Sequence, residues 1–135
     1  DFSESQLCES KGENVCFCKC KMANADLAWS HLNGVCFEHA DLETARFSGA
    51  RVLGSSFVSS NLGSAVFKGA RLSKSCFYRA TFSPATSFEG AALIGCCFVD
   101  TNLSRLLGSR GALVDPPSEE DWDEAAFYEG YLLQE

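Results

Sequence analysis

The sequence predicts an all-β solenoid, a short rod in which the chain coils around a continuous apolar core. Two observations predict this fold class: large apolar residues recur at every fifth position, and a small residue stands two positions before nearly every one. A period of five matches neither the 3.6 residues of a helical turn nor the alternation of a strand. Each repeat is therefore expected to form one short extended piece and one corner.

The large apolar residues define the interior of the predicted solenoid. Each repeat is expected to point one large and one small side chain inward, because so narrow an interior cannot hold two large ones at native packing density. The other three positions of each repeat face water. The large residues are Phe17, Met22, Leu27, Leu32, Phe37, Leu42, Phe47, Val52, Phe57, Leu62, Phe67, Leu72, Phe77 and Phe82, then, after one extra residue, Phe88, Leu93, Phe98 and Leu103.

These repeats resemble the pentapeptide-repeat family, whose motif is a small residue, Asn or Asp, Leu or Phe, and two variable polar residues. The matching triplets are Ala25-Asp26-Leu27, Ala40-Asp41-Leu42, Ser60-Asn61-Leu62 and Thr101-Asn102-Leu103. The resemblance covers roughly residues 1 to 105. It implies a right-handed quadrilateral β-helix with four repeats per coil, here of about five coils.

A coil of four repeats predicts that residues twenty positions apart stack on one face. Stacked rings and stacked Leu side chains then fill a continuous core, and each coil covers the apolar face of its neighbour. One face consists of Phe17, Phe37, Phe57, Phe77 and Phe98. The other faces consist of Phe2, Met22, Leu42, Leu62, Phe82 and Leu103; of Leu7, Leu27, Phe47, Phe67 and Phe88; and of Leu32, Val52, Leu72 and Leu93.

The N-terminal end is predicted to be a degraded first coil. Residues 10–14 are expected to form a loop, because Gly12 takes the place of an inward large residue. An open coil exposes both its core and its backbone hydrogen-bonding groups. Since the chain begins at Asp1 without a Met, this end is expected either to be a poor cap or to dock onto a preceding segment.

We assign residues 1–114 to the β-helix and residues 115–135 to an acidic C-terminal tail. Two prolines end the repeat because proline supplies no ladder donor, and Ser118 followed by acidic residues predicts the start of a capping α-helix. The alternative is that this helix forms a homodimer contact or binds a partner at the C-terminal end. Its candidate interaction residues are Trp122, Phe127, Tyr128 and Tyr131.

The net charge of −7 is unevenly distributed. Residues 115–135 hold eight acids and no base, whereas the other 114 residues carry ten acids and eleven bases. His31, Arg51 and Arg71 are predicted to share one outward column, as an anion-binding ledge or as a solvated face. A nucleic-acid binder would show a larger basic excess with exposed aromatic residues, so direct nucleic-acid binding is not expected.

The family resemblance also implies one specific activity as an alternative. Some pentapeptide-repeat proteins, the quinolone-resistance group and its mycobacterial relative, mimic duplex DNA and occupy type II topoisomerases. A mimic needs carboxylates at something like phosphate density, one charge per about 1.7 Å of axis. The repeat body has no such acidic excess, and its expected length of roughly 24 Å corresponds to only about seven base pairs.

Four of the eight cysteines, Cys16, Cys36, Cys76 and Cys97, are predicted to share one outward column of the all-Phe face, with Ser56 in its middle. One interpretation is that small residues pack side by side on a flat face. Another is that disulfides join adjacent coils, Cys16 with Cys36 and Cys76 with Cys97, because neighbouring coils bring Cα atoms within the permitted range.

A metal site formed by Cys16, Cys18, Cys36 and His39 is the third interpretation. The C-x-C-x-C spacing of this segment is not that of paired structural zinc motifs, so no metal or cofactor is assigned. Unpaired thiols would suit a reducing compartment, and the cytoplasm is therefore favoured. No run of eighteen apolar residues occurs, so no membrane span is predicted.

The prediction for function is a non-enzymatic protein–protein interaction or scaffold module, with a DNA mimic directed at a type II topoisomerase as the alternative. A convex solenoid surface offers no pocket that excludes water or holds an oxyanion, so no catalytic residue is assigned. On the β-helix the candidate interaction residues are Cys16, Cys36, Cys76, Cys97, Arg51 and Arg71.

Overall fold

The structure is a computed structural model that describes residues 1–102 and 113–114, and these residues form a parallel β-solenoid. The strands are short because each side of a coil is a single five-residue repeat that includes a corner. The part of the chain that the structure describes contains no helix. The strands are β1 (Lys11–Glu13), β2 (His31–Asn33), β3 (Arg51–Leu53), β4 (Asn61–Leu62), β5 (Arg71–Ser73), β6 (Thr81–Phe82), β7 (Ala92–Ile94) and β8 (Leu113–Val114).

Residues twenty positions apart pair in parallel along the rod. Strands β1, β2, β3, β5, β7 and β8 form one sheet in that order, and β4 and β6 form a second. In the first sheet Leu32 pairs with Val52, and Val52 pairs with Leu72. Four turns therefore separate β1 from β7, and β8 pairs with β7 one turn further along.

Isolated parallel bridges hold the other two sides of each coil. Asp26 bridges Arg46 on one of these sides, and Cys36 bridges Ser56 on the other. Together with the two sheets, these bridges give four ladders, one for each side of the cross-section. The predicted four-sided pentapeptide-repeat solenoid is confirmed.

Two columns of stacked phenylalanine rings form the aromatic core. The Phe57 ring lies parallel to those of Phe37 and Phe77, with centroids 5.0 Å and 4.7 Å away. On the adjacent side Phe47 and Phe67 stack at 4.8 Å, and the two columns meet edge to face. All five side chains are fully buried, so each coil shields the rings of the next coil from water.

The small inward residues fill the corners of the core and satisfy their own polar groups. Ser60 Oγ donates to the Phe57 carbonyl at 2.7 Å, and Ser30 makes the same bond to Leu27. Ser55 acts between coils, because its hydroxyl accepts the backbone N–H of Val35 at 3.1 Å. Within the described residues, no buried side-chain nitrogen or oxygen atom is left without a partner.

At nearly every corner, the residue two positions after the inward large residue has a positive φ and turns the chain. Gly54 has a φ of +57° there, and Ser59, at the next corner, has a φ of +56°. Pro84 stands at this position after Phe82, and the proline ring cannot adopt a positive φ. The chain accommodates Pro84 with one extra residue, after which the register shifts from twenty to twenty-one, as in the pairing of Cys76 with Cys97.

The N-terminal prediction was wrong in one respect. Residues 11–13 form strand β1 and not a loop, because parallel pairing with β2 needs only backbone groups and Gly12 supplies them. The predicted capping helix falls on residues 115–135, which lie outside the described residues, and the domain boundary after residue 114 stays a prediction.

We predict that Phe57→Ala lowers the free energy of unfolding by about 3–5 kcal/mol, because it opens a cavity between two stacked rings. Chemical denaturation monitored by circular dichroism measures this loss. Val58→Ala, at the neighbouring outward-facing position, should cost less than about 1 kcal/mol. Equal losses for the two variants would contradict the assignment of inward and outward positions.

At the corners, Gly54→Ala should destabilise the solenoid by about 1 kcal/mol, because the positive φ is unfavourable for a residue with a Cβ. No atom lies within 4 Å of the added Cβ, so the loss reports backbone conformation and not a clash. Ser59→Ala is the matched control and should leave the melting temperature unchanged. A neutral Gly54→Ala variant would be evidence against left-handed corners.

Candidate interaction surfaces

The outward sulfur column lies where the repeat predicts. Parallel bridges join Cys16 to Cys36, Cys36 to Ser56, Ser56 to Cys76, and Cys76 to Cys97. Each of these residues precedes an inward Phe, so its side chain points away from the core. The column therefore places a row of cysteine side chains on one flat face of the rod, interrupted by a single serine.

The structure joins different cysteines from those expected. A disulfide links Cys18 with Cys36, whose Cα atoms are 6.0 Å apart, whereas Cys16, Cys76 and Cys97 carry free thiols. In-register residues on parallel strands hold their Cβ atoms about 4.8 Å apart, and disulfides need about 3.5–4.5 Å. The diagonal pair converges better than either in-register pair.

A group of three sulfur atoms forms at the N-terminal end of this face. The Sγ atoms of Cys16, Cys18 and Cys36 all lie within 4.8 Å of one another. His39, the fourth member predicted from the sequence, is not part of this group. Instead Glu38 lies beside the group, with its Oε2 3.2 Å from Cys36 Sγ.

The second candidate surface is a basic column on the long sheet, which we call the basic ladder: Lys11, His31, Arg51 and Arg71. These residues pair in register across β1, β2, β3 and β5, and all four are exposed. The sequence predicts three of them in this column, and β1 adds Lys11. They line an open groove of about 700 Å³ together with Leu53, which is 45% exposed.

Trp29 is a surface feature that the sequence analysis did not single out. Its side chain is 64% exposed and lies across Gly49, where an added Cβ would come within 2.5 Å of the indole ring. A large aromatic residue at a corner position was the available signal. The four aromatic candidates of the tail, Trp122, Phe127, Tyr128 and Tyr131, lie outside the described residues.

Comparison with protein families identifies the repeats. The family profile described as pentapeptide repeats matches eight copies, over residues 13–49 and 45–83. The chain belongs to the pentapeptide-repeat family. No enzymatic family is indicated, and no curated protein matches the sequence.

Several solved pentapeptide-repeat structures are similar to this chain at low identity. Rfr23 from the cyanobacterium Cyanothece 51142 is 16% identical, with a TM-score of 0.39 and coverage of 84% of this chain and 86% of Rfr23. QnrB1, a plasmid-mediated fluoroquinolone resistance protein, is 18% identical with a TM-score of 0.36, and the match covers 82% of this chain and 64% of QnrB1.

A pentapeptide-repeat protein from the Arabidopsis thaliana thylakoid lumen is 19% identical with a TM-score of 0.30, covering 86% of this chain and 71% of that protein. These values are too low for any property of the three proteins to be transferred to this one.

The described residues include no helix with the length and apolar character that a membrane span requires.

The thiol chemistry of the sulfur column gives a prediction for pH dependence. Burial raises the pKa of the Cys76 thiol, and the adjacent Cys97 raises it further. Only the thiolate reacts with iodoacetamide, so the midpoint of the Cys76 alkylation profile should lie above the ordinary cysteine value. Mass spectrometry of the Cys76 peptide after timed alkylation measures this midpoint.

Replacing the neighbour tests the physical cause. Cys97→Ser should move the Cys76 midpoint part of the way back towards lower pH, because burial persists while the second thiol is gone. Cys16→Ser, at the far end of the same column, should leave the Cys76 midpoint unchanged. An unshifted midpoint in Cys97→Ser would show that the two thiols do not interact.

Proposed function

We propose that this protein is a non-enzymatic binding module whose basic ladder recognises an extended acidic segment of a protein partner. The observation that supports this most directly is the in-register stacking of Lys11, His31, Arg51 and Arg71 on successive coils of one sheet. The solenoid backbone fixes the spacing of the Cα atoms in this column at about 4.8 Å. A partner therefore meets these side chains in a row that starts from a rigid backbone.

The surroundings of the ladder suit an acidic peptide better than a nucleic acid. Leu53 is exposed beside Arg51 and provides an apolar contact for a partner side chain. Glu13 lies on the same groove beside Lys11 and would repel a continuous polyanion. The inward aromatic stacks leave no row of exposed rings on this sheet among the described residues, and such rings are what single-stranded nucleic acids require.

The charge pattern does not favour DNA mimicry. A mimic directed at a type II topoisomerase needs carboxylates that follow one another at phosphate-like density. Within residues 1–102, no outward column carries acidic side chains on two successive coils. A gyrase supercoiling assay tests this alternative, and the charge pattern predicts that the protein changes neither supercoiling nor its inhibition by a quinolone.

Binding to a defined peptide tests the proposed function. A synthetic peptide of residues 115–135 carries eight acids and no base and serves as the acidic probe, and the same peptide with amides in place of the carboxylates serves as the neutral one. Fluorescence anisotropy should show binding of the acidic peptide alone. The affinity should weaken with added salt, because the contacts are exposed ion pairs.

Substitution of the ladder locates the binding face. The double variant Arg51→Gln with Arg71→Gln should weaken binding of the acidic peptide by about tenfold, as expected for the loss of two exposed ion pairs. Arg46→Gln with Lys68→Gln removes the same net charge away from the ladder and is the matched control. Equal weakening in both variants, or equal binding of the neutral peptide, would refute recognition by the ladder.

A further inference from the structure

The all-Phe face carries a second site that the binding function does not use. Cys16 and Cys18 flank the inward Phe17, so both side chains point outward from one coil. Cys36 and Glu38 flank Phe37 in the same way on the next coil, and Cys36 bridges Cys16 directly. Two successive coils thus present four ligand-type side chains at the corners of one small rectangle.

The distances within this rectangle fit metal coordination. The three Sγ atoms lie within 4.8 Å of one another, and tetrahedral zinc with Zn–S bonds of about 2.3 Å separates its sulfur ligands by about 3.8 Å. Glu38 Oε2 lies 3.2 Å from Cys36 Sγ. We therefore expect side-chain rotation to be enough to bring all four donors to one centre.

A disulfide accounts for only part of this arrangement. The Cys18–Cys36 bond uses two of the sulfur atoms, and the Cys16 thiol remains 2.9 Å from Cys18 Sγ. Backbone hydrogen bonds already hold these coils together, for example from Phe17 N–H to the Cys36 carbonyl at 2.7 Å. A third thiol and a carboxylate at the same point are side chains of the types that ligate metal ions.

We propose that in the reduced protein Cys16, Cys18 and Cys36 bind one thiophilic cation as thiolates, with Glu38 as the fourth ligand. Thiolates select Zn²⁺ and Cu⁺ among the available metals, and the three thiol protons pass to solvent on binding. The disulfide and the metal exclude each other, because a sulfur in a disulfide is no longer a thiolate. Metal binding is therefore a property of the reduced chain alone.

The same face provides an internal comparison. Cys76 and Cys97 are also in register on adjacent coils, but the residues that correspond to Cys18 and Glu38 are Tyr78 and Val99. This second pair has two sulfurs and lacks the third and fourth ligands. If the site needs three converging thiols, the cluster of Cys16, Cys18 and Cys36 must bind the metal ion more tightly than the Cys76 and Cys97 pair does.

The test uses the full chain, reduced with a phosphine and kept free of oxygen. Titration with Co²⁺, a spectroscopic substitute for Zn²⁺, should give one equivalent of tetrahedral thiolate-ligated ion, which Zn²⁺ then displaces. A parallel titration with Cu⁺ against a chromophoric chelator measures which of the two ions is preferred. Protein oxidised to the Cys18–Cys36 disulfide should bind neither.

Single substitutions then assign the ligands. Cys16→Ser, Cys18→Ser and Cys36→Ser should each weaken Zn²⁺ binding by more than about 100-fold, beyond the range of outer-shell changes. Glu38→Gln should weaken it by about tenfold, and the double variant Cys76→Ser with Cys97→Ser should have no effect. Unchanged melting curves show that the variants fold, because all these side chains point outward.

Three results would overturn the proposal: no stoichiometric Co²⁺ or Cu⁺ binding by the reduced protein, full binding by Cys16→Ser, or equal loss in the Cys76 and Cys97 control. The first would mean that the cluster only forms a disulfide, with the Cys16 thiol beside it. The second would exclude Cys16 as a ligand and leave two thiolates and Glu38. The third would mean that any two neighbouring thiols bind the ion, so the cluster would not be a specific metal site.

Discussion

Backbone hydrogen bonds between residues about twenty positions apart are the constraint on which every other feature depends. Phe37 N–H donates to the Ser56 carbonyl and Phe57 N–H to the Cys76 carbonyl, each at 2.7 Å, and the pattern repeats around the coil. This register places like side chains above one another. It therefore creates the ring stacks inside and, with the same regularity, the sulfur column and the basic ladder outside.

The surface chemistry follows from that geometry because each outward column is a ladder of fixed spacing. Side chains that are far apart in the sequence, such as Arg51 and Arg71, become neighbours on adjacent coils. Their positions are set by backbone pairing and not by contacts between the side chains themselves. A substitution on an outward column can therefore change binding while the core, which the inward residues alone determine, stays intact.

The sequence was sufficient for the fold and for the columns, because the period of five predicts a solenoid, the family resemblance implies four repeats per coil, and the twenty-residue spacing can be checked by residue type. It did not predict β1, where Gly12 offers no side chain to the pattern. It also missed the contact of Glu38 with Cys36 and the pairing of Cys18 with Cys36. Both depend on the directions in which side chains point across two coils. The spacing of residues along the chain does not specify those directions.

Nuclear magnetic resonance of phenylalanine-labelled protein tests the central register most directly. The structure predicts ring-to-ring nuclear Overhauser contacts between Phe57 and both Phe37 and Phe77, whose centroids lie 5.0 Å and 4.7 Å away. Edge contacts to Phe47 and Phe67 should accompany them. A Phe57 ring with no contact to residues twenty positions away would contradict the four-sided coil and every surface column derived from it.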